Sequence, residues 1–499
     1  MSDQLRIALA AGDGIGPEIM EATLALFKAA GVMEKLEFVP VEMGASEFLK
    51  GNTRGMSDSA IRTVEDCGIL FKGPMETPKG SGGKSINVTA RKLWNAYANY
   101  RVFKTLPGVE TVYSKAGIHI DMAIVRENIE DTYGGVEHRL SNDMIQCKRL
   151  ISAPGCDEVH RFAFQTARKL GLEKIHCGHK ANIMKMTDGL FLDRFKAIGR
   201  DFQEIKQEDV IVDALCMNLV MRPQQYEMVV LPNLQGDIVS DLVAGLVGGL
   251  GFAPSANIGN NISIFEAVHG TAPDIAGRGI ANPTSLILSG LMLLRHVCLV
   301  KEAAAIENAL LVTLESGVRT GDFGDKSKPA VGTREFVGAI EKNLGNKPTT
   351  VACAHEAHVD EKTGPLKFVR PHKPVSQRVM RTFKNVVTQV VGCDIYLDTP
   401  LSPIALAEEM NRSCVDTPFR LTLISNRGTQ VWPTGSVYTE CVDYYRVRFE
   451  LKEGIAPGSF GQSRCVALMD KIAEAFTVCS YELLRTFDGV KGYSLAQGQ

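Results

Sequence analysis

No charge of one sign dominates this chain. Its 499 residues carry 55 Lys+Arg against 57 Asp+Glu, a formal net charge of −2, so no basic field exists to draw nucleic acid or an anionic membrane. Small anionic substrates stay open, because local arginines rather than overall charge meet them. A long hydrophobic run is also missing. The longest, SLILSGLMLL from Ser285, stops at Arg295-His296, too short to span a bilayer and suited to a buried helix. The opening MSDQLRIALAAGDG has no basic n-region or signal core and runs straight into a strand. The twelve cysteines contain no C-x-x-C pair, which points to reduced thiols and a cytoplasmic setting.

What is present reads as an ordinary globular composition, 45% hydrophobic and 22% charged, with length for more than one domain. The front of the chain alternates short apolar runs with helical patterns, the rhythm of an α/β fold. LRIALAAGDGIGPEIMEATLALFKAAG is strand, glycine turn and amphipathic helix closed by Gly31. EFVPVEMGAS, CGILFKGPME, EMVVLPN and SIFEAVHG are further strands, and DLVAGLVGGLGF is a tightly packed small-residue helix. Residues 346–378 are rich in Pro, Lys, His and Thr without clear periodicity, and 346–385 read as a linker. Within it, CAHEAH at 353–358 with His372 has a faint metal-site look. Residues 386–499 then give strand, helix, strand, strand, helix, strand. That is the βαββαβ order of a ferredoxin-like α+β domain, and no internal repeat ties it to the first part.

Several short stretches carry chemistry. GDGIGPE at 12–18 breaks the G-x-G-x-x-G dinucleotide spacing and fits a strand-to-helix turn with Pro17 near the first helical position. In GDIVSD, Asp237 and Asp241 stand i, i+4, on one face of a helix. Bare, they repel. A hard cation such as Mg²⁺ or Mn²⁺ removes that repulsion, although an exposed acidic helix start is equally consistent. Asp213 ends an apolar run in VIVDAL, an unusual place for an idle charge. Ser85, Asn87 and Arg91 in GGKSINVTARKL, Arg101 in NYRVF and Arg126 in IVRENIEDTYGG supply hydroxyl, amide and guanidinium groups. Three arginine forks suit a substrate with several carboxylates, though each alone could be a surface arginine. Lys180 and Asn182 in GHKANIMK, with Tyr133, add a candidate proton-transfer pair, Lys180 and Tyr133.

Taken together, GDGIGPE, KSINVTAR, VRENIEDTYGG, HKANIMK, GDIVSD and FEAVHGTAPDIAG stand in the order found in the β-decarboxylating dehydrogenases. From about residue 5 to 345 the chain resembles the isocitrate dehydrogenases of that family. TPFRLTLISNRGTQV resembles the C-terminal extension of a long-chain bacterial subgroup. The resemblance implies a two-lobed α/β fold plus the small α+β domain. Residues 1–97 and 248–345 would form a large cofactor lobe, and 98–247 a small substrate, metal and dimerisation lobe with a clasp at about 131–155. It implies that Ser85, Asn87, Arg91, Arg101 and Arg126 hold the carboxylates of isocitrate. Asp237 and Asp241 would bind Mg²⁺ or Mn²⁺ together with Asp213, which in this family comes from the other subunit. Lys180 and Asn182 would also reach across, so the active site needs a homodimer, and higher oligomers could form through the C-terminal domain. Tyr133, Lys180 and Asp213 would be the catalytic set.

The resemblance further implies that the loop from His269, with Glu266, Gly270, Thr271 and Ala272, wraps the adenosine half of the cofactor. Asn282 would help hold the adenine and Thr77 would lie near the nicotinamide. NADP-using isocitrate dehydrogenases have Lys-Tyr where this chain has Asp274-Ile275. A carboxylate there can accept hydrogen bonds from the ribose hydroxyls of NAD and would repel a 2′-phosphate. Single charges about 4 Å apart repel by roughly 4 kcal/mol at an intermediate dielectric. The expectation is therefore NAD-dependent oxidative decarboxylation of isocitrate. The alternatives are an NADP enzyme, an enzyme for isopropylmalate, homoisocitrate or tartrate (against which Ser85 and Asn87 argue), or a non-catalytic regulatory chain of a heteromeric dehydrogenase. The C-terminal domain suits either assembly or effector sensing.

Overall fold

A computed structural model describes residues 4–76, 85–354, 386–435, 438–457 and 461–494. Thr77 and most of the linker, including His355, His358 and His372, lie outside the described residues. The chain divides into two compact units, the first Met1–Gly134 with Arg149–Ser376, the second Gly135–Lys148 with Gln377–Gln499.

The first unit is built on one ten-stranded sheet. Its strands are β1 (Leu5–Ala10), β2 (Leu36–Pro40), β3 (Ile69–Lys72), β4 (Ala98–Lys104), β5 (Asp121–Glu127), β8 (Lys174–His179), β9 (Lys206–Ile211), β10 (Met228–Leu231), β11 (Pro254–Ile258) and β12 (Ser263–Ala267), while β6 (Glu137–Arg139) and β7 (Ile145–Cys147) belong to the second unit. The spatial order is β2-β1-β3-β12-β11-β4-β5-β10-β8-β9. Both flanks are parallel, and the three central pairings, β12 with β11, β11 with β4 and β4 with β5, are antiparallel. Helices cover both faces, as a largely parallel sheet requires. On the first flank, Ile7 and Phe71 pack under helices Gly16–Ala29 and Thr284–His296, and Ala8 and Leu70 under Asp58–Cys67. On the second, Val125 and Val230 meet Ala153–Leu170, and Ile124 and Val229 meet Val212–Met221 and Asn233–Leu246.

GDGIGPE is a tight turn between β1 and helix Gly16–Ala29, with Pro17 in the first helical turn. Gly12 has φ +84°, and a Cβ there would stand 2.3 Å from the Pro74 carbonyl oxygen, so only glycine fits. The stretch SLILSGLMLL lies inside the Thr284–His296 helix, buried along most of its length. No helix among the described residues is long and apolar enough to cross a membrane, and no disulfide joins the described cysteines. DLVAGLVGGLGF is not one helix. Asn233–Leu246 carries both GDIVSD and DLVAGL and then stops, because Gly248 and Gly249 take φ of +117° and +108°, a conformation that ends helices.

The second unit joins the hairpin of β6 and β7 to a six-stranded antiparallel sheet. The hairpin, read from sequence as a clasp in the small lobe, meets this unit through Ser141 Oγ donating to Asp443 at 2.7 Å and Lys148 paired with Glu482 at 2.7 Å. The sheet comprises β13 (Thr388–Asp398), β14 (Phe419–Asn426), β15 (Thr429–Trp432), β16 (Tyr444–Leu451), β17 (Thr477–Phe487) and β18 (Val490–Lys491). Its order is β15-β14-β16-β13-β17-β18. Without the two short edge strands it is the ferredoxin-like arrangement, with helices Pro403–Ser413 and Ser463–Ala473 packed over Cys393, Ile395, Val447 and Phe449. β15 is a strand the sequence pattern does not announce. Arg427 and Gly428 both take positive φ and turn NRG into a tight hairpin.

Candidate active site

The central antiparallel strands aim their charged side chains at helix Asn233–Leu246. β4 carries Arg101 and β5 carries Arg126, both nearly fully buried. Asp237 is the acceptor both meet. Arg126 Nη1 pairs with its Oδ1, Arg101 Nη2 stands 3.4 Å from the same oxygen, and Tyr133 Oη donates to Oδ2 at 2.5 Å. Arg101 Nη1 also donates to Ser240 Oγ at 2.7 Å and lies 3.5 Å from Asp241 Oδ1. Arg126 uses Nε and Nη2 to fork Asn233 Oδ1 at 3.0 and 2.8 Å, and its guanidinium lies over the Tyr133 ring. Asn233 and Ser240 were not singled out from the sequence. Yet each lies four or three positions from Asp237, on the helix face it shares.

Charge on this patch is out of balance. Burial, aided by Arg126, pushes the Arg101 guanidinium down to about 10, and burial with Arg91 nearby lowers Arg126. Burial works against the Asp237 carboxylate, but Arg126 and Arg101 outweigh it and hold the group below the usual range. Asp241 goes the other way. Burial raises it against the pull of Arg101, and the Asp237 charge adds to the rise. Three cations beside two carboxylates, one of them disfavoured by its neighbour, suit an additional polyanion together with a cation between the acids.

Ser85 precedes helix Ile86–Leu93, which carries Asn87 and Arg91. Asn87 Oδ1 and Arg91 Nε are buried without hydrogen-bond partners, which marks them as groups awaiting a ligand. Arg91 Nη2 donates to Glu266 Oε1 at 2.9 Å, and buried Lys72 pairs with Oε2 of the same carboxylate. Burial alone would raise Glu266, but Lys72 and Arg91 hold it far below the carboxylate range. Glu266 therefore lies on β12 beneath Arg91, buried, rather than on the exposed loop that follows it. Lys72 was missed in the sequence although it ends the apolar run ILF, the same signal that picked out Asp213.

Lys180, Asn182 and Asp213 do not join the cluster within one chain. Lys180 Nζ and Asp213 Oδ1 pair with each other at 2.5 Å, and Asn182 is exposed. Among the described residues no three His, Cys, Asp or Glu side chains lie close enough together to hold a metal. Asp237 and Asp241, one helical turn apart on the same face, offer two of the oxygen donors that a hard cation takes.

The HGTAPDIAG loop docks on the GDGIGPE turn. Ile15 N donates to Thr271 O at 2.9 Å, and a Cβ on Gly14 would stand 2.0 Å from that oxygen. Glu18 clamps the far end, accepting from Gly279 N and Ala281 N at 3.0 Å each and from Thr333 Oγ1 at 2.5 Å. His269 Nδ1 faces Gly270 O at 2.9 Å, while its Nε2 is buried without a partner. Ala272 has φ +40°, and the short turn Pro273–Ile275 leaves Asp274 exposed and Ile275 part-buried. Asn282 donates to Asp322 Oδ2 at 3.0 Å and accepts from Thr284, so both ends of its amide are used within the fold.

Beside Arg126, Glu127 is buried, and that burial raises it to about 7 against three backbone N–H contacts. A carboxyl raised in the folded state contributes stability below its unfolded value and loses it as pH rises through the folded one. Stability should fall between about pH 4.5 and 7 by about 3 kcal/mol from this group. Glu127→Gln keeps the Oε1 acceptor and should flatten that fall, read as the change in urea midpoint between pH 5 and pH 8. An unchanged difference would show that Glu127 does not titrate there.

A doubly flanked sheet with an arginine–aspartate cluster at its antiparallel centre is an α/β frame whose site suits a small carboxylate ligand. Residues 6–340 match the family described as isocitrate/isopropylmalate dehydrogenase, and the chain belongs to it. Residues 388–499 match the bacterial isocitrate dehydrogenase C-terminal domain. The chain is 42% identical to an NADP isocitrate dehydrogenase of Thermus thermophilus over 99% of this chain and 96% of that one. It is 36% identical to one from Rickettsia bellii over the full length of both. It is also 45% identical to a mitochondrial NAD isocitrate dehydrogenase regulatory subunit from Dictyostelium discoideum, across 68% of this chain and 93% of that one. Among solved structures, the TT0538 protein of Thermus thermophilus superposes with TM-score 0.88 at 41% identity, covering 99% of this chain and 96% of that one. Isocitrate dehydrogenase from Methylococcus capsulatus gives 0.64 at 39% identity, over 68% and 99%.

Proposed function

We propose that this protein catalyses the oxidative decarboxylation of isocitrate to 2-oxoglutarate and CO₂ with NAD and a divalent cation, as a homodimer with shared active sites. The observation that carries the substrate reading is the convergence of Arg101, Arg126 and Tyr133 on Asp237, with Arg91 and Asn87 left short of partners nearby. In this reading Arg91, Arg101 and Arg126 grip the carboxylates, and Ser85 and Asn87 donate to or accept from the same molecule. Asp237 and Asp241, with Asp213 from a second copy, hold Mg²⁺ or Mn²⁺. When bound, the cation supplies Lewis-acid polarisation and the nicotinamide supplies a hydride acceptor. Lys180 from the second copy takes the substrate hydroxyl proton, and Tyr133 returns a proton to the product carbon. A second copy is supported by Met217, Val220 and Met221 on helix Val212–Met221 and Ile238 on Asn233–Leu246, all at least half exposed although apolar. Tyr133, Lys180, Asp213, Asp237 and Asp241 are all present, which favours a catalytic chain over a regulatory one.

NAD rests on Asp274. Because that side chain is exposed, its repulsion of a 2′-phosphate is nearer the aqueous value, about 1 kcal/mol per charge pair at 4 Å. For a dianion that is a preference of roughly thirtyfold, smaller than the intermediate-dielectric figure implies. NADP is the second reading. The full-length relatives cited are named for NADP, and exposed Arg278 offers a cation in the same loop. The test is a steady-state comparison with isocitrate and Mn²⁺. The expected result is kcat/KM at least tenfold higher with NAD, with Asp274→Lys/Ile275→Tyr reversing the order. A wild-type preference for NADP overturns the NAD assignment, and no turnover with either cofactor overturns the enzyme itself.

A further inference from the structure

Five adjacent strands, β3, β12, β11, β4 and β5, carry polar residues on one buried stripe where apolar side chains would normally pack. Lys72 stands opposite Glu266, Asn257 opposite Asn99, and Asn99 opposite Arg126. Lys72, Glu266, Asn257, Asn99 and Asn128 are all essentially inaccessible to solvent. Buried amides are costly unless bonded, and these are bonded in one line. Asn257 Nδ2 donates to Glu266 Oε1 at 2.7 Å. Asn257 Oδ1 accepts from Asn99 Nδ2 at 2.9 Å and from Asn128 Nδ2 at 3.0 Å. Asn99 Oδ1 accepts from Arg101 Nε at 2.6 Å.

The line has a direction. The Glu266 carboxylate can only accept, so Asn257 must present its NH₂ there and its oxygen to Asn99. Asn99 must then present its NH₂ to Asn257 and keep its oxygen for Arg101, whose guanidinium can only donate. Each amide orientation is thereby set by the charges at the two ends. The same Glu266 oxygen receives Arg91 Nη2. We propose that the Asn257–Asn99 amide pair is a positioning element that ties Arg91 to Arg101 through Glu266 and so sets the spacing of the two guanidinium groups that grip the substrate. Without it, Arg101 keeps Ser240 and its distant aspartate contacts at Nη but loses the bond that fixes its Nε edge. The inference rests on the proposed role of these arginines and adds the residues that act through them.

The experiment is a double-mutant cycle in the full-length protein, Asn257→Leu against Arg101→Lys, with kcat and the KM for isocitrate and for the dinucleotide measured in all four proteins. Asn257→Leu should raise the isocitrate KM at least tenfold in the wild-type background and leave the dinucleotide KM within about twofold. In the Arg101→Lys background, which has no Nε to position, it should change the isocitrate KM less than twofold. Equal factors in both backgrounds, or equal losses for both substrates, would mean that Asn257 merely supports the fold and would overturn the proposal. If Arg101→Lys alone leaves the isocitrate KM unchanged, the substrate assignment itself is wrong, and the positioning role falls with it. Should Asn257→Leu not fold, Asn99→Ser interrupts the line one step further on and carries the same expectations.

Discussion

Replacing Asp237 with Asn should lower kcat/KM for isocitrate about a thousandfold, about 4 kcal/mol of transition-state stabilisation, while the protein stays folded. Asp237 takes Arg126 and Tyr133 directly and Arg101 at 3.4 Å. The amide keeps the shape but removes the one carboxylate that both buried arginines share. Uncompensated buried charge costs several kcal/mol, and the arginines can relieve it by turning away. A proposed cation ligand goes at the same time. The expected signature is a large fall in kcat with weakened Mn²⁺ binding, read by steady-state kinetics and a Mn²⁺ titration. Wild-type Mn²⁺ affinity in Asp237→Asn would remove Asp237 from the cation site.

Replacing Glu266 with Gln should give the largest loss of stability, about 3–5 kcal/mol, the typical cost of stranding one partner of a buried ion pair. Lys72 would be left in the sheet interior without its paired carboxylate, and Arg91 would lose its anchor. The pH dependence has a definite sign. A carboxyl held below its unfolded value contributes stability above that value and loses it as pH falls toward the folded one. The wild-type protein should therefore lose this contribution on acidification below about pH 4.5, and Glu266→Gln should lack that acid limb. Adding Lys72→Met should restore part of the loss by removing the stranded cation. Thermal unfolding of the two variants between pH 3 and pH 7 decides the matter. A double variant less stable than Glu266→Gln alone would show that Lys72 matters for packing rather than charge.

Much of the site could be read before the fold was known, because its parts are local. Asp237 and Asp241 share a helix face by spacing alone, and Arg91, Arg101 and Arg126 stood in recognisable strings. The residues beneath them could not be read this way. Asn99 and Asn257 look like ordinary strand amides, separated by more than a hundred and fifty positions, and only the antiparallel pairing of β4 with β11 sets them opposite each other. Glu266 was legible as a motif residue, but its pairing with Lys72 depends on β3 lying beside β12. Lys180 and Asp213 form their own pair in the single chain, so the proposed union with Asp237 would need a second copy, which no local pattern encodes. In the second unit the six main elements followed from periodicity. The edge strands β15 and β18 did not, because two- to four-residue strands are too short to show alternation.

The second unit draws on two separate stretches of chain, since the Glu137–Cys147 hairpin precedes its main sheet by more than two hundred residues. Ser141 and Lys148 find Asp443 and Glu482 only if the distal part is present, and a lone hairpin of two short strands is marginal in water. The second unit is therefore not a segment that a cut at one point in the chain removes whole. A truncation before Thr388 would leave Ser141 and Lys148 without the partners they take here.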